Sequence, residues 1–191
     1  MRNNTFYIMR HGHSRPNQKE LIISDPTLGV LPENGLTELG QTQAAEAANE
    51  APLDADCLIY SSDFSRAHET AEIVRKTIGA DAVHLTAALR ERYFGDLDKQ
   101  HKSVYDTVWQ NDQIDPTHTY KNVEAVTAVA ERMQTTVSAL DTQHVGRTIL
   151  LVSHGDPLSI LQAALWGETI GSHSFYHLRN AQIVSLPFTQ Q

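Results

Sequence analysis

A single cysteine, Cys57, among 191 residues rules out an internal disulfide. Its place beside Leu58, Ile59 and Tyr60 reads as a small buried hydrophobe rather than a reactive thiol. Long apolar runs are also missing: residues 6–9 and 149–152 are far too short to cross a bilayer, and no signal-like apolar region follows Arg2. Positive charge is in deficit. Lys and Arg number 15 against 23 Asp and Glu, a formal charge of −8, with no dense basic stripe. That balance disfavours docking along a nucleic-acid backbone and leaves room for one local anion site. The expectation is a cytoplasmic protein with neither nucleic acid nor membrane as partner; a monomer and a homodimer both fit.

What is present is a chain of one-domain length, able to bury about 70% of its extended surface. Hydrophobic residues make up 40% and charged residues 20%, the mix of a globular chain and not of a disordered or coiled-coil one. No repeat or linker interrupts it, so residues 1–191 are expected to form one catalytic domain. Ten histidines are many for this length, which favours catalysis or metal binding without choosing between them.

The order of local signals predicts the architecture. Residues 5–9 are apolar and β-rich and stop at Arg10-His11-Gly12, as a buried first strand does. Pro16, Pro26, Gly29, Pro32 and Gly35 break residues 15–35 into a long connection, read as a flap. A helix over 37–48 ends by Pro52, and a strand follows at 57–60. Asp63 then caps a helix whose inward face is Ala67, Ala71, Val74 and Ile78, with Gly79 as its stop. A short strand at 82–85, a polar loop at 89–98 and a small excursion over 93–120 come next. Val123, Val126, Ala130, Met133, Val137 and Leu140 mark a helix over 122–141. Residues 148–153 are a central strand, and Asp156 and Pro157 open a helix with Ile160, Leu161, Ala164 and Leu165 inward. Two closing strands, 175–178 and 182–186, are expected as an antiparallel edge pair. The sum is a three-layer α/β/α domain with a mostly parallel sheet.

Ligands bind such sheets beyond the carboxyl ends of the strands. Arg10-His11-Gly12, residues 61–66 and His154-Gly155 all fall at such ends. Gly12 is expected to allow a tight turn and close approach of a ligand. A guanidinium at Arg10 can grip two phosphoryl oxygens while the His11 imidazole attacks phosphorus. Ser14 and Asn17 can hydrogen-bond the same oxyanion. Arg66 lies just inside a helix, where both its side chain and free amides can face an anion, although alone it reads equally as an exposed helix residue. His154-Gly155 repeats the strand-His-Gly ending, which suggests one imidazole as nucleophile and the other as a donor to phosphoryl oxygen. The metal alternative lacks an HExxH, a CxxC or a close Asp/His cluster, so no metal or cofactor is expected. Glu91 can carry the proton to the leaving oxygen, yet between Arg90 and Arg92 it reads equally as a solvated ion-pair residue.

Taken together these residues resemble the histidine phosphatase superfamily, the group of cofactor-dependent phosphoglycerate mutases and many small phosphatases. The resemblance runs from Tyr7 to about Leu186. It is carried by Arg10, His11, Gly12, Ser14 and Asn17; by Leu36-Thr37 and Gly40; by Ser61-Ser62, Arg66-Ala67 and Thr70-Ala71; by Leu89, Glu91 and Gly95; and by Val152-Ser153-His154-Gly155. It implies a phosphoglycerate mutase-like fold, phosphorylation of His11, phosphoryl oxygens held by Arg10, Arg66 and His154, and Glu91 as acid and base. Asp96-Leu97-Asp98 lacks the Trp-x-Gly common after the Glu loop, and Val123-Glu124-Ala125 stands where Gly-Glu-Ser is common, with Glu124 and Arg132 keeping part of that pattern. His13, in a variable motif position, is a candidate rim contact, and Gly155 a candidate substrate contact. The expected function is hydrolysis of a small phosphorylated metabolite through a phosphohistidine. Phosphoglycerate mutase is an alternative, disfavoured because mutases of the family are generally longer; a non-enzymatic phospho-ligand binder is another.

Overall fold

The computed structural model describes residues 3–186; Arg2, named above, lies outside them. Five strands form one sheet in the order β3-β2-β4-β1-β5. β1 (Thr5–Arg10) and β4 (Thr148–Ser153) run parallel with Thr5 opposite Thr148 and Arg10 opposite Ser153. β2 (Leu58–Ser61) lies parallel on the far side of β4, and β3 (Val83–Leu85) parallel beyond it. β5 (Ile183–Ser185) closes the other edge antiparallel to β1.

The alternation of β4 explains the layers. Ile149 and Leu151 face one side with α6 (Val126–Gln143) and α7 (Gly155–Trp166), while Leu150 and Val152 face the other with α3 (Glu38–Glu50) and α4 (Ser65–Ile78). A strand covered on both faces is apolar along its covered length, as this one is from Ile149 to Val152. Cys57 is buried in the second of these clusters, and burial pushes its thiol up to about 11. Gly79 ends α4 in the left-handed conformation at φ 76°, where a glycine carries no steric cost. Among the described residues no helix is long and apolar enough to cross a membrane.

Several local expectations are corrected. Asp63 does not cap α4, which starts at Ser65 after Phe64; its carboxylate instead takes both prongs of Arg90 at 2.7 and 2.6 Å. Asp156 lies one residue inside α7, whose cap position is His154, and its carboxylate accepts from Trp109 Nε1 at 3.2 Å. Neither helix has a side-chain cap, and the two carboxylates go instead to a charged guanidinium and to an indole N–H. Residues 175–178 form no strand: a 3₁₀ segment, Ile170–Tyr176, runs there against α7, tied by Gln162 Nε2 to Tyr176 O, so only the second closing strand exists.

The stretch read as a polar loop at 89–98 is largely interior. Leu89 joins the main core, while Phe94 and Leu97 join Ile22, Val108 and Val123 in a smaller cluster beneath α5 (Tyr105–Ile114). Val123 belongs to that cluster, and α6 begins only at Val126. Residues 15–35 form two short helices, α1 (Arg15–Gln18) and α2 (Pro26–Gly29). Backbone bonds from Ile22 to Gln100, Lys99 to Ile22 and Lys102 to Glu20 lace them to the 99–102 turn.

Candidate active site

The carboxyl ends of β1, β2 and β4 bring three distant segments to one place. His11 follows β1, and its Nδ1 donates to the Gly12 carbonyl at 2.7 Å. That bond places the ring proton on Nδ1 and the lone pair on Nε2, which Arg66 Nε approaches at 3.2 Å from the first turn of α4. A second arm of Arg66 donates to Ile23 O at 3.0 Å, so residues 15–35 orient it. His154, at the end of β4, is fully buried, and its ring lies 5.2 Å from that of His11, edge on. Ser62 Oγ accepts from Phe64 N–H at 3.2 Å and lies 2.9 Å from His154 Nε2; where the hydroxyl donates to that nitrogen, the ring proton of His154 sits on Nδ1.

Glu91 Oε2 is 4.0 Å from Arg66 Nη2 and 3.9 Å from His154 Nδ1, and Oε1 accepts the Arg92 amide at 3.0 Å. Among the described residues, Arg10 Nε, Arg66 Nη1 and His154 Nδ1 are buried donors without a protein partner. A buried donor left unpaired costs about 1–3 kcal/mol, more if charged. Three of them converging make a cradle suited to a tetrahedral oxyanion.

Charges follow the same logic. Desolvation, then the cations Arg66 and Arg10, hold His11 well below the usual imidazole range; desolvation, Arg66 and His11 do the same for His154. Both rings are thus neutral near pH 7, as a nitrogen nucleophile must be. Desolvation, aided by the Asp156 charge, pushes the Glu91 carboxyl up to about 7, poised to give and take a proton.

A cavity of about 360 Å³ opens beyond the cradle, lined by Arg10, Glu91, Tyr105, Trp109, His177 and Asn180 among others. A wider groove of about 1030 Å³ runs along α6 and the end of α7 and is lined by none of these residues.

Arg10, His11, Arg66, Glu91 and His154 therefore meet, while the secondary candidates divide. Asn17 and His13 line the cavity, with His13 Nδ1 also bonded to Thr37 Oγ1 at 2.9 Å. Ser14 is buried and caps α1, its hydroxyl donating to Asn17 Oδ1 at 3.0 Å while the Asn17 amide donates back at 3.3 Å. Gly155 lines the cavity, and a Cβ there meets the His177 ring. Gly12 makes room for protein and not for ligand: a Cβ on it runs into the Gly40 carbonyl of α3.

Glu91 is no solvated ion-pair residue. Its neighbour Arg92 is fully buried and grips Asp112 with two bonds of 2.7 and 2.8 Å. In the sequence alone Ser62, Trp109 and His177 carry no role of their own, and Asp156 only that of a helix cap. Ser62 belongs to the Ser61-Ser62 segment of the family pattern, whereas His177 follows a 3₁₀ segment and carries no local signal.

A mostly parallel sheet with an imidazole beyond two of its central strands, flanked by two arginines and a raised carboxyl, defines a class of α/β protein built around a phosphoryl-sized anion. The chain belongs to the histidine phosphatase superfamily (branch 1), which it matches over residues 6–191. Its fold is that of known histidine-dependent phosphatases. The protein named "Probable phosphoglycerate mutase GpmB" from Cronobacter sakazakii is 29% identical over 189 residues, 96% of this chain and 85% of its own. The solved mycobacterial glucosyl-3-phosphoglycerate phosphatase in complex with VO3 is 26% identical with a TM-score of 0.77, covering 96% of this chain and 90% of that one. The phosphoserine phosphatase of Entamoeba histolytica, 21% identical with a TM-score of 0.76 over 98% of both chains, shares the fold.

Proposed function

We propose that the protein hydrolyses a small phosphomonoester through a phosphohistidine on His11. The observation that carries this reading is the convergence of His11 and His154, rings 5.2 Å apart, around donors that have no protein partner. In the first step the Nε2 lone pair of His11 attacks phosphorus in line. The ester P–O bond breaks, and protonated Glu91 gives its proton to the departing oxygen. In the second step the Glu91 carboxylate takes a proton from water, whose oxygen attacks phosphorus as the P–N bond breaks, releasing inorganic phosphate and regenerating neutral His11. Arg10, Arg66 and His154 Nδ1–H hold the equatorial oxygens, where loss of one donor costs about 3 kcal/mol or roughly two decades of rate.

The relatives named phosphoglycerate mutases favour a second reading, return of the phosphoryl group to a retained glycerate. The cavity supports hydrolysis better. Beyond the arginines its walls carry the Asp156 carboxylate, and Lys102 at the rim is ion-paired with Glu20 at 2.7 Å, which suits an uncharged leaving group over a carboxylate-bearing one. Phosphate release across a panel of metabolite and peptide phosphomonoesters, with His11→Ala as control, tests the reading. Turnover of at least one small phosphomonoester and its loss in the variant are expected; full turnover without the imidazole, or isomerisation of phosphoglycerate far faster than phosphate release, overturns it.

A further inference from the structure

Arg10 spends Nη1 on two acceptors, His177 Nε2 at 2.8 Å and Leu178 O at 2.7 Å. A guanidinium is a donor only. The imidazole nitrogen facing it therefore carries the lone pair, and the ring proton of His177 sits on Nδ1. The ring also occupies the space that a side chain at 155 would fill: a Cβ built on Gly155 falls 2.7 Å from Cε1 and 3.2 Å from Nε2. Partial desolvation and the Arg10 charge push His177 down to about 4, which keeps it a neutral acceptor near pH 7.

We propose that His177, seated on Gly155, is a positioning residue for Arg10. Its Nε2, with the Leu178 carbonyl, fixes Nη1 so that the buried Nε, which has no protein partner, turns toward the phosphoryl oxygens. The two residues come from opposite ends of the chain, so the contact locks the segment after α7 to the end of β1. The inference rests on Arg10 acting as a phosphoryl clamp.

Glutamine can place an acceptor oxygen near the position of imidazole Nε2, whereas leucine keeps bulk and offers none. His177→Leu is expected to weaken orthovanadate binding and lower kcat/KM by about tenfold, the low end for losing a charge-assisted bond at a partly exposed site. His177→Gln is expected to recover to within about threefold, and Gly155→Ala, which displaces the ring, to resemble the leucine variant. In an Arg10→Ala background the leucine change is expected to add nothing, because residues acting through one another are not additive. Equal losses in the Gln and Leu variants, or a Leu effect undiminished without Arg10, overturn the proposal. Should the Leu variant not fold, the ¹⁵N shifts of the His177 ring in the wild-type protein decide: an unprotonated Nε2 at pH 7 is expected, and a protonated one refutes it. Orthovanadate binding without turnover in the wild type would instead defeat the hydrolysis reading and leave this comparison intact.

Discussion

Glu91 and Arg92 are joined by a peptide bond yet serve separate environments. The Glu91 carboxyl lies 3.9 Å from His154 Nδ1 in the cradle, while the Arg92 guanidinium points into a fully buried pairing with Asp112. The cation next to Glu91 in sequence is thereby withheld from it. Arg66 remains within 4.0 Å, and burial still wins.

The pH dependence follows from that balance. With Glu91 at about 7, the first step needs the protonated form, so kcat/KM is expected to fall as pH rises through about 7. Asp156 is the second cause of the shift, so Asp156→Asn removes a like charge and is expected to move the basic limb to lower pH. Initial rates from pH 5 to 9 measure both; a limb that stays put in the variant contradicts the assignment.

Stability carries the same signature with a defined sign. The folded protein holds the Glu91 proton up to about 7 where an unfolded chain releases it near 4.5, so the wild type loses stability as pH climbs between those values. The loss is on the order of 3 kcal/mol at most. Glu91→Gln is therefore expected to lose at least two decades of kcat and yet melt higher than wild type at pH 8, with little difference at pH 4. Calorimetric Tm values at the two pH values check it, and a variant that melts lower at pH 8 would contradict the linkage.

Asp112 is a hub. Burial would raise its pKa, but bonds from His173 and Arg92, then His118, hold it well below the usual carboxylate range. Asp112→Ala takes away both short bonds of the Arg92 guanidinium and leaves it the Asp156 carboxylate at 3.4 Å and the Glu124 carbonyl at 2.7 Å, and a loss of about 3 kcal/mol in urea unfolding, the low end for a broken buried pair, is expected. A loss under about 1 kcal/mol would show the pairing to be dispensable.

At Gly12 the expected penalty is steric. Gly12→Ala drives a methyl into the Gly40 carbonyl, and Gly40→Ala drives one into His13 O. Each is expected to cost at least about 1–3 kcal/mol, because backbone cannot yield as a side chain tip can. Denaturation midpoints read this, and neutral alanines at both positions would mean that the loop and α3 sit farther apart.

The parts legible in the sequence are those where one local cause decides. β4 is apolar from Ile149 to Val152 because both faces are covered, and the α6 stripe from Val126 to Leu140 repeats at helical spacing. The strand-His-Gly endings at His11 and His154 were readable because a polar residue after a buried strand needs a reason. Residues 89–123 were not: Phe94 and Leu97 are interior only because Ile22 and Val108 arrive from elsewhere to cover them. Asp63 and Asp156 looked like caps, and distant donors, Arg90 and Trp109, claimed their carboxylates. At 175–178, Phe175 is 80% exposed and Leu178 5%, an alternation that a strand and a 3₁₀ turn can both produce.

The place of β1 in the sheet has a consequence for synthesis. Its two neighbours are β4, starting at Thr148, and β5, starting at Ile183. A chain emerging from the ribosome thus presents its first strand with neither edge hydrogen-bonded until most of the polypeptide has left the tunnel. Such open edges invite pairing with other chains. Nascent chains truncated before residue 148 are accordingly the ones that will need chaperone shelter.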